Sequence, residues 1–115
     1  MEKKPFNAER FKHIAGNGKA ELFYYIPRSN LGMPKWEIKV RYHDDTCKIV
    51  VMCDSGFNIT GEVIEVNNFE NRIERNEEIY RLYHEEGLSQ LFLANLFNMS
   101  QPSISLIVNK KQIKD

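Results

Sequence analysis

The hydrophobic pattern of this chain changes period near residue 69, and no single type of secondary structure can serve both sides of that change. Between Lys19 and Val66 the period is two. Trp36, Ile38, Val40 and Tyr42 point one way while Glu37, Lys39 and Arg41 point the other, as a half-buried strand with one solvated face requires. The polar run His43 to Thr46 reads as a turn, Cys47 to Cys53 as a second strand, Asp54-Ser55-Gly56 as a break, and Ile59 to Val66 as a third strand. Ala20 to Ile26 is a fourth candidate, separated from the Trp36 strand by a loop carrying Pro27, Gly32 and Pro34. Asn7 followed by Ala8 to Ile14 predicts a short capped helix ending before Gly16 and Gly18. From Asn71 onward the apolar residues Ile73, Ile79, Tyr80, Leu82 and Tyr83 recur at helical spacing, and Gly87 stands where a left-handed cap would end that helix. Ser89 caps a second helix through Leu96. Ser100 caps a third, with Pro102 in the first turn where its missing N–H costs nothing. The expected class is α+β, with an antiparallel β-meander of three or four strands and a possible N-terminal helix in residues 1–69. Three short helices follow in 70–115.

Composition narrows the function classes. Sixteen basic residues balance sixteen acidic ones, so the whole chain lacks the basic excess of a nonspecific nucleic-acid binder. The longest apolar runs, Leu22 to Ile26 and Ile49 to Met52, are far shorter than the roughly 20 residues of a membrane span, and no apolar leader follows Met1. A cytoplasmic protein without membrane contact is expected. Cys47 and Cys53 lie too far apart along one strand to bridge and match no zinc spacing, so they read as core-facing thiols. The histidines His13, His43 and His84 are scattered, and His43-Asp44-Asp45 reads as a turn rather than a metal or acid/base site. With no phosphate loop, His-Glu-x-x-His or Gly-x-Ser-x-Gly, the expectation is a protein without catalysis, metal or cofactor.

The segment Gln90 to Asn109 carries the functional expectation. Leu93, Ala94 and Phe97 form the inner face of one helix; Asn98 occupies a position that favours positive φ; Met99 plugs the turn; Ile104 and Ile107 form the inner face of the next helix. Small Ala94 permits a close crossing at about 90 to 120°. The segment Glu78 to Lys111, and especially its part from Gly87 onward, resembles the helix-turn-helix segments of bacterial and phage regulators, resolvase-type DNA-binding domains and some phage endonuclease accessory domains. That resemblance covers about a third of the chain. It does not extend to the β-rich part.

The resemblance implies binding to double-stranded DNA, with the second motif helix in the major groove. Gln101, Pro102, Ser103, Ser105, Leu106 and Asn109 would then face base edges. Lys110 and Lys111 would hold phosphates, and Ser89, Gln90 and Ser100 would offer polar groups to the backbone. Residues 70–115 contain six basic against seven acidic side chains, a weak attraction for phosphate, to which Lys3, Lys4, Arg10 and Lys12 could add a basic arm. Phe92 and Leu96, four apart and outside the inner positions, together with Leu106 predict an apolar patch covered by a second subunit, hence a homodimeric transcriptional regulator. A rival reading from another class is an interaction or inhibitor protein, such as an anti-CRISPR-like factor of a phage or mobile element. It would act on a host protein or nucleoprotein through the β-rich half.

Overall fold

The computed structural model describes residues 7–29 and 32–110. Its elements run α1 (Ala8–Ala15), β1 (Lys19–Ile26), β2 (Lys35–Arg41), β3 (Cys47–Asp54), β4 (Ile59–Ile64), α2 (Arg72–His84), α3 (Gln90–Leu96) and α4 (Gln101–Asn109). The chain is α+β and forms two compact units, one ending at Glu65 and the other beginning at Val66. The division falls a few residues before the change of period. Asn67 donates its backbone N–H to the Glu78 carboxylate (2.7 Å) and the Phe69 ring lies 5.9 Å from that of Phe97, which ties this stretch to the helices.

The first unit is an antiparallel meander in the order β1-β2-β3-β4. Trp36, Ile38 and Val40 of β2 with Val50 and Met52 of β3 make a buried cluster, completed by Ala15, Phe11 and Ile14 of α1. The Asn7 side chain caps α1 by accepting from the Arg10 N–H at 2.9 Å. Gly61 lets α1 close on the sheet, since a Cβ there would collide with the Ile14 side chain. The β2–β3 turn is the expected one: Asp45 takes φ 65°, and Asp44 accepts from both the Thr46 N–H (3.1 Å) and hydroxyl (2.6 Å). Those Thr46 bonds hold the Asp44 carboxyl below its ordinary pKa.

Two expectations fail on the other face of this sheet. Glu37, read as solvated, is 0% exposed, and it shares its face with Val51, its register partner in β3. Its carboxylate is 2.9 Å from the ammonium of Lys35, itself largely buried, which makes burial of the charge tolerable. The unbroken run Ile49-Val50-Val51-Met52, all buried, is the mark of a strand covered on both faces; it was visible in the sequence and outweighs the alternation of β2. The second failure concerns the cysteines. Both lie half-buried at the ends of β3, and burial raises the Cys53 thiol pKa.

Among the described residues no single helix is long and apolar enough to cross a membrane. Helices α3 and α4 together have the length and composition, but the chain bends by 116° between them.

Candidate nucleic-acid interface

The second unit begins with a charged helix tethered to the segment before it. Asn71 caps α2 by accepting from the Glu74 N–H (2.9 Å), and Arg81 places one guanidinium nitrogen 2.6 Å from Glu78 and another 2.9 Å from Glu86. Burial pushes the Glu78 carboxyl pKa up, but the Arg81 and Asn67 donors pull harder, so the net direction is down. Gly87, at φ 76°, ends the helix, and the Leu88 N–H returns to the Leu82 carbonyl at 3.1 Å.

Ser89 accepts from the Phe92 N–H (3.2 Å) and starts α3; the Phe97 N–H returns to the Leu93 carbonyl (2.9 Å) and closes it. Asn98 then takes φ 56°, the left-handed conformation expected at this turn, and the Met99 N–H reaches the Ala94 carbonyl at 2.8 Å. Ser100 starts α4: its hydroxyl oxygen accepts from the Ser103 N–H (3.3 Å) and its proton goes to the Ser103 hydroxyl (2.8 Å). Pro102 occupies the first turn, and the two helices diverge by 116°, inside the expected range. Buried Ala94 and Ile104 take inner positions.

The packing differs from expectation: Phe97, assigned to the inner face, is half-buried. Val108, four residues from Ile104, is buried, whereas Ile107 is half-buried, because a nine-residue helix crossing at this angle meets its neighbours along the i, i+4 row. His84 was missed altogether: its Nε2 lies 2.7 Å from the Val108 carbonyl, a bond in which the ring N–H must donate, and Tyr80 and Tyr83 flank the ring. A lone histidine at the end of α2 gives no sequence signal for that bond.

Phe92, expected on an exposed patch, is 0% exposed and belongs to the core, so it is withdrawn as an interface residue. Leu96 is half-buried. The large apolar side chains that do face outward here are Leu106 (75%) and Leu91 (47%).

The outward side of α4 collects most of the expected site residues. Gln101, Pro102, Leu106 and Asn109 are exposed, and Lys110 follows at the C-cap. Ser103 and Ser105 are half-buried and engaged, Ser103 with the Ser100 cap and Ser105 as acceptor from the Asn109 amide at 2.9 Å. Ser89 and Gln90 lie half-buried at the start of α3. Lys111, Lys3 and Lys4 lie outside the described residues. No charged side chain occurs from Gly87 to Asn109. Six of the seven acidic residues of the unit precede this stretch in sequence, and Arg81 engages two of them.

Comparison of the chain with protein-family models, with curated proteins and with solved structures gave no match. Among the described residues no group of three metal-ligating side chains converges. The Ser89 and Ser100 hydroxyls serve as helix caps.

Proposed function

We propose that residues 89–111 bind double-stranded DNA in a sequence-dependent way, with α4 in the major groove, and that the protein acts without catalysis as a small homodimeric regulator of transcription. The observation that carries this reading is the outward side of α4. A short, well-capped helix is held at 116° to its neighbour and presents Gln101, Pro102, Leu106 and Asn109 beside Lys110. A side this short reaches only a few base pairs, which is why a second copy reading a second half-site belongs to the proposal.

The absence of charge from Gly87 to Asn109 sets the energetic character of the complex. Lys110 and Lys111 are the phosphate-neutralising groups next to α4, so the logarithm of affinity should fall with the logarithm of salt at a slope of only about −2 per subunit. Selection from a random duplex pool at about 0.15 M salt tests the reading. A palindromic site preferred by about a thousandfold over scrambled duplex is expected. Equal weak binding to both duplexes overturns it, and a monomer by light scattering at tens of micromolar protein overturns its homodimeric part.

A second reading, an interaction protein acting through its β-rich half, is favoured by one observation. Phe57 is fully exposed at the β3–β4 turn, where Asp54 accepts from the Gly56 N–H at 2.8 Å and Ser55 bonds Asn58. An ordered turn carrying a bare aromatic ring is an anchor suited to a protein pocket. Phe57→Asp separates the readings, because it leaves α4 untouched; substitutions of buried Trp36 or Phe92 would report folding instead.

A further inference from the structure

The chemistry of the outward side of α4 restricts what it can read. Guanine is recognised most often by Arg or Lys donors to its O6 and N7, and cytosine by a carboxylate accepting from N4. Helix α4 has neither, its sequence being Gln-Pro-Ser-Ile-Ser-Leu-Ile-Val-Asn. Its exposed members are one side-chain amide at the N-terminus, Gln101, two apolar groups, Pro102 and Leu106, and Asn109. The Asn109 Nδ2 already donates to Ser105, which keeps its oxygen and its second proton for a base edge. Leu106 is the decisive residue. It is 75% exposed on the side opposite buried Ile104 and Val108, so its isobutyl group meets whatever the helix docks against. Against a G·C pair that group would strip water from polar atoms and return no hydrogen bond. Against thymine it meets a methyl group.

We infer that α4 reads A·T pairs, with Gln101 bonded to adenine N6 and N7 and Leu106 packed on a thymine C5-methyl in each half-site. This rests on the DNA-binding reading and adds the identity of the bases and the contact that discriminates them.

The test uses the full chain and the duplex enriched from the random pool, remade with deoxyuridine in place of each thymidine in turn. That exchange deletes one methyl group and leaves the Watson–Crick edges intact. At one position per half-site affinity should fall about fourfold, the worth of one buried methyl. In Leu106→Ala the same exchange should have no effect, while unfolding midpoints stay equal because the side chain is largely exposed. A G·C-rich enriched site, or an A·T-rich one insensitive to deoxyuridine, overturns the inference and leaves DNA binding standing. A loss on deoxyuridine substitution that persists in Leu106→Ala overturns the role of Leu106. Failure to enrich any sequence overturns the inference together with the reading beneath it.

Discussion

Helix α2 and the pair α3–α4 belong to one unit but are stabilised by different physics. Charged residues recur throughout α2, and Arg81 binds Glu78 and Glu86 while Glu78 holds Asn67. Helices α3 and α4 have no charge at all and depend on serine caps, a left-handed asparagine and apolar burial. The difference bears on binding. An uncharged surface loses little on desolvation when a partner covers it and attracts little from a distance, so its affinity comes from short-range fit. A charged helix such as α2 suits a face that stays in water.

The largest expected effect tests whether burial, rather than sequence spacing, decides which apolar residues of α3 matter. Phe92→Ala should cost about 3–5 kcal/mol of unfolding free energy, the range for truncating a buried phenylalanine. Leu91→Ala, next to it and 47% exposed, should stay within about 0.5 kcal/mol. Urea unfolding measures both. Equal costs would mean that Phe92 is not core.

Next in size is the electrostatic tether of α2. Arg81→Ala leaves the Glu78 carboxylate, 6% exposed, with Asn67 but without its guanidinium; about 3 kcal/mol of stability should be lost at neutral pH, between a charged hydrogen bond and a broken buried pair. The pH dependence has a definite sign. Because the folded carboxyl lies below its ordinary 4.5, the wild type holds this stabilisation in full above that value and loses it as pH falls through the lowered folded value. The stability gap between wild type and variant should therefore narrow below about pH 4.5. A gap independent of pH would show that Arg81 acts by packing its aliphatic stem.

Much of this architecture was legible in the sequence, for local reasons. Asn7, Ser89 and Ser100 start helices, Asn98 and Gly87 take positive φ, and the period-two runs become strands, because each depends on a few adjacent residues. What failed depends on distant chain. Phe92 looked surplus on a helical wheel of α3 alone, and Glu37 looked solvated on the alternation of β2 alone; both are buried. The α4 site was legible as a set of exposed side chains. The Ser100–Ser103 and Ser105–Asn109 bonds that reduce the freedom of that set required coordinates. So did the His84 bond to Val108.

A smaller effect separates backbone strain from side-chain chemistry at the α3–α4 turn. Asn98→Ala keeps the Cβ that crowds the following carbonyl at φ 56° but loses the short polar side chain that lets asparagine tolerate this conformation, and should cost about 1 kcal/mol. Asn98→Gly should be neutral within a few tenths. Thermal unfolding of the two variants beside wild type provides the measurement. A comparable loss in Asn98→Gly would assign the position to its amide instead.

The smallest effect leaves the fold untouched and bears only on what the uncharged surface can bind. Lys110 is exposed at the C-cap of α4, so Lys110→Gln should leave the unfolding midpoint within error. If α4 docks in a major groove with Lys110 on a phosphate, the variant should bind every duplex more weakly by a similar factor, and the salt slope should flatten by about 1 per subunit. Gln101→Ala behaves differently under the same reading: the slope persists while preference at one base pair relaxes, by about 1–3 kcal/mol. The contrast matters more than either magnitude. Loss of slope with preference kept, beside loss of preference with slope kept, is the signature of a helix that divides positioning from readout; two variants that weaken binding in the same way would place DNA elsewhere on the protein.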